Sequence, residues 1–241
     1  MNRFHYPKPL AVGAGFDLPA ALAHHVQVLR LTVGAHLTLF NGEGGEHIAT
    51  IKAIDRKTVQ VEVKAFSPRE AELPYALTLA QALPEASKMD WIVEKAVELG
   101  ATALQPLATQ RCVARLSGDR AYKRVQHWQA VAVAAAQQSG RNRVMHVGDI
   151  AEFARYVDQQ DLHLRIMLSP VADLSLSEWA RHQPPQALTL LVGPEGGFNP
   201  AESLQAAARG ILALSMGPRI LRTETAGLAA IAALNAVWGE M

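Results

Sequence analysis

The sequence predicts an α/β protein in two parts: a small β-barrel over residues 1–72, then a domain over 73–241 whose helices cover a mostly parallel sheet. Three observations predict it. Short β-rich runs separated by Asn-Gly and Gly-Gly turns fill residues 1 to about 70. Two prolines and mixed charge break that pattern at Ser67-Pro68-Arg69-Glu70-Ala71-Glu72-Leu73-Pro74. From there strand-like and helix-like segments alternate to the end, as parallel strands joined by helical crossovers require.

In chain order, residues 20–31 read as a helix, and 37–40, 47–54 and 58–63 as strands, with Asn41-Gly42-Glu43-Gly44-Gly45 as the turn after the first of these. Past Pro74, residues 75–82 form a strand. Residues 88–99 form an amphipathic helix with Ile92, Val93, Ala96, Val97 and Leu99 on or near one face and Gly100 ending it. A strand at 103–107 and a long helix at 118–139 follow. Strands at 165–168 and 188–192, a helix at 201–208, a short strand at 211–214 and a helix at 226–238 complete the order, with no internal repeat.

At 241 residues the chain can bury a real core without a covalent staple. Its one cysteine, Cys112, excludes an internal disulfide and argues against a thiolate zinc site. The histidines, adjacent His24 and His25 among them, show no ligand spacing, so no metal is expected. No signal-like start and no long uncharged apolar window is present, which gives the expectation of a soluble, cytoplasmic protein without a membrane partner. The net charge of +1 conceals an asymmetry: residues 109–146 hold seven basic side chains against one acidic, and 147–241 six against ten. Such a run is either a solvated helix face or a phosphate contact. Tyr122, His127 and Trp128, interleaved with the cations, favour RNA, on whose bases they would stack.

Open parallel sheets bind ligands beyond the C-terminal ends of their strands. Two loops fit that place. Gly193-Pro194-Glu195-Gly196-Gly197-Phe198 follows a buried-type strand and precedes Asn199-Pro200, an N-cap and first-turn pair; its glycines let a ligand approach backbone closely. It is neither a dinucleotide fingerprint nor a phosphate loop, which disfavours a nicotinamide dehydrogenase. The second, residues 216–225, joins Gly217-Pro218 to the polar run Arg222-Thr223-Glu224-Thr225 just ahead of a helix of small residues. Thr223 or Thr225 either caps that helix or helps its exposed amides bind an adenine edge or a carboxylate, and the two readings are compatible.

With those motifs in view, the chain resembles the RsmE-type 16S ribosomal RNA (uracil-N3)-methyltransferases of the SPOUT superfamily along its whole length. The likeness is carried by residues 191–198, by Leu221-Arg222-Thr223-Glu224-Thr225-Ala226 and by the helix 88–100, and is joined by Gln138-Ser139-Gly140-Arg141 and the Asn41–Glu46 turn. One departure is Gln137, where the family pattern has a glutamate. The resemblance implies a PUA-like, OB-related barrel that helps bind RNA, a methyltransferase domain with a deep trefoil knot, a homodimer, and S-adenosylmethionine as donor without a metal. Its cofactor pocket would be formed by Leu191, Gly193, Glu195, Gly196, Met216, Pro218, Leu221, Arg222, Thr223, Thr225 and Ala226. The expected reaction is methylation of N3 of a uridine in 16S ribosomal RNA of the small ribosomal subunit, with no role for DNA. The rival readings are a ribose 2′-O-methyltransferase of the same superfamily and a non-catalytic RNA-binding assembly factor.

Methyl transfer to N3 needs the proton removed and the uridinate stabilised. Arg222 is the first candidate for that charge and Arg141 the second; Glu195 or Glu224 would take the proton if burial raised its pKa. Candidate RNA contacts are Arg3, Arg30, Arg111, Arg120, Lys123, Arg124 and Arg141.

Overall fold

The computed structural model describes residues 2–85, 88–160 and 163–239, and these form two compact units. The first comprises Met1–Glu72 together with Ala136–Val144; the second comprises Leu73–Ala135 and Met145–Met241.

In the first unit, β1 (Arg3–His5), β2 (Gly15–Asp17), β3 (His36–Phe40), β4 (Glu46–Ile54) and β5 (Val59–Ser67) form one sheet in the order β1-β3-β4-β5-β2. β3, β4 and β5 pair antiparallel, as their turn chemistry dictates, whereas β1 joins β3 in parallel. Two register shifts between β4 and β5, at Ile48/Ala49 and Ile51/Ala53, add local twist. All five strands turn side chains toward one core: Phe4, Leu37, Leu39, Ala49, Ile51, Val59 and Val61, with Phe16 partly buried, close over Ala23 and Val26 of α1 (Ala20–Val28). β1 and β2, three residues each, are too short to show a period in the sequence.

Residues 136–144 are knit into this unit by polar groups. Arg3 donates to Glu46 at 2.6 Å, to the Arg141 carbonyl at 2.8 Å, and to the Asn142 side chain. The Arg141 guanidinium, 2 % exposed, pairs with Glu72, and Asn142 donates to the Arg69 carbonyl. This corrects two expectations. Arg3 and Arg141 are not available to RNA, nor Arg141 to a substrate, because both are buried with their charge committed to carboxylates inside the unit. Gln137 has a structural task as well: its Oε1 accepts the His5 backbone N–H at 2.9 Å, a bond that a glutamate would also accept.

The second unit is a seven-stranded sheet, parallel throughout. Its strands are β6 (Leu77–Ala82), β7 (Ala103–Ala108), β8 (His146–Val147), β9 (Ala151–Glu152), β10 (Leu164–Leu168), β11 (Leu188–Val192) and β12 (Leu212–Leu214). The order is β12-β10-β11-β6-β7-β8, with β9 also on β7. β11 is buried at every residue, as a central strand covered on both faces must be. Leu191 and Ala80 point into a cluster with Phe153 of α4 (Phe153–Asp158) and Ala206 of α6 (Pro200–Ala208). The alternate residues Leu79, Gln81 and Val192 face α7 (Thr223–Trp238).

α7 reaches that face because residue 227 is glycine: a Cβ there would fall 2.9 Å from Leu79 Cδ1 and 3.2 Å from Val192 Cγ2. The helix packs on β11, on α2 (Lys88–Glu98) and on α5 (Leu176–Arg181). Its last turns are pinned by Asn235, which accepts from Tyr75 Oη at 2.7 Å and donates to the Leu99 carbonyl at 2.9 Å. The chain thus runs out to the edge strand β12 and returns over the middle of the sheet. α3 (Gly118–Ser139) contributes its residues to Ala135 to this unit. β8, β9, α4 and α5 escape sequence reading for the same reason as β1, since two to six residues carry too little pattern.

Candidate functional site

Beyond the C-terminal ends of β10 and β11, the second unit opens into a cavity of about 590 Å³, within the range of small-molecule sites. One wall is the loop 193–198; the facing wall is 216–222 with the start of α7; the loop after β10, Ser169 to Val171, closes a third side.

The first wall is held at nearly every residue. Gly193 sits close against the loop's own backbone: a Cβ would meet Phe198 N at 3.1 Å and Gly197 Cα at 3.2 Å, so the turn would have to give by a few tenths of an ångström to admit one. The Pro194 carbonyl accepts from Gly197 N at 2.8 Å, and Gly197 takes φ +66°, closing a tight turn. Arg111 Nη1 donates to the Gly196 carbonyl at 2.8 Å. Glu195 Oε1 accepts from Lys88 Nζ at 2.8 Å and from the Glu85 backbone N–H at 3.1 Å. Phe198 packs on Phe153, and Asn199 caps α6 in the expected way. The cap is a full box with Glu202, whose carboxylate also accepts from Gln110 N at 2.8 Å.

The two main walls meet at Thr223. Its hydroxyl donates to the Gly193 carbonyl at 2.6 Å and accepts from Gln81 Nε2 at 2.9 Å. Neither Thr223 nor Thr225 caps α7; the N-cap is Arg222, without a side-chain bond. Gln81 Nε2 also donates to the Ala82 carbonyl at 3.0 Å, while its Oε1 has no partner among the described residues. Such an orphan costs about 1–3 kcal/mol.

Of the residues expected around a cofactor, Gly193, Glu195, Gly196, Met216, Leu221, Arg222, Thr223 and Ala226 line the cavity. Three do not. The Leu191 side chain points to the opposite face of the sheet, into the core with Phe153 and Ala206. Pro218 and Thr225 are exposed, and neither side chain is part of the cavity wall. Sequence reasoning missed Gln81, Lys88 and the loop after β10. Gln81 was visible as a polar residue continuing the alternation of Leu77 and Leu79 in a strand of buried type. The loop after β10 lies beside the one after β11 because the two strands are parallel neighbours.

Both expected proton acceptors face the Lys88 ammonium. Burial, the largest influence on Glu195, pushes its carboxyl up, but the hydrogen bonds from Lys88, from the Glu85 N–H and from its own backbone, with the Lys88 charge, hold it below the ordinary carboxylate range. The expectation of a raised pKa is therefore corrected for Glu195, whose charge is spent on Lys88. Glu224 Oε2 stands 3.5 Å from Lys88 Nζ and makes no hydrogen bond among the described residues.

Arg222 is exposed at the cavity, with no ion pair among the described residues, and Arg219 and Arg111 stand with it in the lining. Arg111, expected on RNA, thus has one nitrogen on the wall itself. Arg120, Lys123 and Arg124 are exposed on α3, as is Arg30 beyond α1. Tyr122 is exposed beside them, but Trp128 is not free to stack, being buried with Nε1 on Asp90 at 3.1 Å. Asp90 also holds His127 Nε2 at 2.8 Å. Among the described residues no group of three or more His, Cys, Asp or Glu side chains is placed to hold a metal ion, and no helix is long and apolar enough to cross a membrane.

Comparison with known proteins agrees with this architecture. Residues 71–235 match the family described as an RNA methyltransferase domain, and residues 18–64 match an RNA methyltransferase PUA domain. The chain is 31 % identical to a ribosomal RNA small subunit methyltransferase E of Bacillus subtilis, over 91 % of this chain and 89 % of the relative. A crystal structure of a ribosomal RNA small subunit methyltransferase E from Neisseria gonorrhoeae bound to S-adenosyl methionine superposes with a TM-score of 0.92 at 36 % identity, covering 99 % of this chain and 98 % of that one. A Legionella pneumophila protein solved in complex with the same cofactor gives 0.91 at 33 % identity, over 98 % and 97 % of the two chains.

Proposed function

The chain belongs to the RNA methyltransferase family, and from that membership we propose that it transfers a methyl group from S-adenosylmethionine to N3 of a specific uridine in 16S ribosomal RNA of the small ribosomal subunit. The observation that carries the reading is the cavity, formed by the two glycine-bearing loops and bordered by three arginines. Its size suits the donor. Its walls offer backbone groups on the Gly193 side and apolar Met216 and Leu221 on the other, a lining suited to an adenosine and a methionine chain.

When bound, the sulfonium supplies an already activated methyl group, so the protein's share is alignment and charge. Arg222, without an ion pair among the described residues and at the positive end of α7, binds the uracil oxygen on which charge develops as the N3 proton leaves. Neither expected carboxylate is assigned that proton, which leaves to solvent: Lys88 Nζ holds Glu195 at 2.8 Å and stands 3.5 Å from Glu224, which does not line the cavity. Arg30, Arg111, Arg120, Lys123 and Arg124 hold phosphates, with residues 1–72 as the PUA-like RNA-binding domain and 73–241 as the methyltransferase domain. Val171 and Ile220, 87 % and 85 % exposed at the cavity rim, are apolar surface that a second copy would cover, which supports a homodimer. The compartment proposed is the cytoplasm, where the ribosomal substrate is.

The deciding experiment is transfer of labelled methyl from S-adenosylmethionine to small ribosomal subunits lacking the modification, followed by nucleoside analysis. N3-methyluridine is expected. Another methylated nucleoside would replace the target, and tight RNA binding without transfer would make the protein a non-catalytic assembly factor.

Two further outcomes follow from side chains already placed. Neutralising Arg120, Lys123 and Arg124 should weaken RNA binding uniformly across sequences and lower the slope of log affinity against log salt by about 2–3. An unchanged slope would make the run a solvated helix face. For the Lys88–Glu195 pair, a folded pKa below the ordinary value of about 4.3 means its contribution is complete above that value and is lost only as pH falls through the lowered one. Donor affinity measured by calorimetry should therefore stay flat from about pH 8 to about pH 5 and decline in more acidic solution. A decline centred near the histidine range, about 6.5, would show that another group governs the loop.

A further inference from the structure

We infer that Gln81 is a positioning residue for the methyl donor: through the Thr223 hydroxyl it fixes the Gly193 carbonyl and holds the two walls of the cavity at one separation. The inference rests on reading the cavity as the S-adenosylmethionine site.

The direction of the relay follows from the groups involved. The Gly193 carbonyl can only accept, so Thr223 gives it the single hydroxyl proton and can take part in any other hydrogen bond only as an acceptor. Gln81 supplies that bond from Nε2, whose other proton goes to the Ala82 carbonyl. Reversing the amide would set its oxygen against that carbonyl, so the orientation is fixed by two acceptors and Oε1 is left without a partner among the described residues. The oxygen lies toward Gly227, where a Cβ would come within 3.6 Å of it.

A methionine or leucine would fill this fully buried position without stranding a polar atom. Stability therefore does not account for a glutamine. Its geometry does. Gln81 sits opposite Val192 across the β6–β11 pair, Gly193 follows Val192 directly, and Thr223 opens α7. The relay closes a ring through the sheet, the first residue of one wall and the first helical residue of the other. The relay is the anchor at the start of that loop; Lys88 and Arg111 hold it further along.

The test is calorimetric titration of S-adenosylmethionine into the full-length protein and its variants, with thermal unfolding and RNA affinity recorded for each. Thr223→Val, which keeps the shape and removes the hydroxyl, and Gln81→Met, which removes the donor, should each weaken donor binding about tenfold or more while RNA affinity stays near that of the wild type. Thr223→Ser restores the hydroxyl and should bind within about threefold of the wild type. Gln81→Glu is the sharpest variant: its carboxylate would draw the Thr223 proton away from Gly193, weakening binding as much as valine does although the side chain can still hydrogen-bond. Should the valine or glutamate variant fail to fold, Gln81→Met and Thr223→Ser decide. Folded Thr223→Val or Gln81→Met protein that binds the donor like the wild type overturns the relay alone. A wild-type protein that does not bind it overturns the cofactor assignment and the relay with it.

Discussion

Alanine at position 222 is expected to lower kcat by about 10²- to 10³-fold, the cost of removing one donor aimed at charge that develops in a transition state. Stability should be almost untouched. Arg222 is exposed, forms no ion pair among the described residues and contributes no side-chain bond to the cap of α7. Its backbone, at φ −65° and ψ 154°, is one that alanine adopts freely. Donor affinity should change much less than kcat, because the arginine acts on the uracil oxygen. Turnover measured on small subunits, beside donor titration and thermal unfolding, separates the three quantities. Near-normal turnover would remove Arg222 from the mechanism.

Arg141→Ala should do the reverse. It leaves the Glu72 carboxylate, with 12 % of its side chain exposed, without its guanidinium partner. Breaking a buried pair by removing one member costs about 3–5 kcal/mol. Equilibrium unfolding in urea would read this as a lower midpoint for the transition that includes the first unit, and Glu72→Ala in the same chain should return part of the loss. A drop of less than about 1 kcal/mol, the usual range of an exposed pair, would mean the network carries little of the unit's stability.

These two arginines show where reading the sequence stops. Each stands in a short polar run at a helix end, one before α7 and one after α3, and nothing local distinguishes them. Their difference is tertiary: residues 136–144 join the first unit, and the sheet there buries Arg141. What is local was legible. The capping box at Asn199, the turn between β3 and β4, the apolar run of β11 and the two loops that wall the cavity are all written within a few neighbouring residues. What depends on strand order was not, including the third wall after β10 and the Lys88 contact with Glu195. Leu191 marks an intermediate case. Its motif points to the cavity, while the alternation of side chains along a strand sends it to the other face.

The split composition of the first unit also sets a schedule for synthesis. Arg3, Glu46 and Glu72 leave the translating ribosome well before Arg141 and Asn142, the residues that complete their buried network. At elongation rates of about 5–20 residues per second, the N-terminal sheet waits for several seconds with those groups still hydrated and its assembly unfinished. The amino end of the chain therefore completes its polar network only when more than half of the polypeptide exists, although its apolar core, drawn wholly from the first 72 residues, is already present.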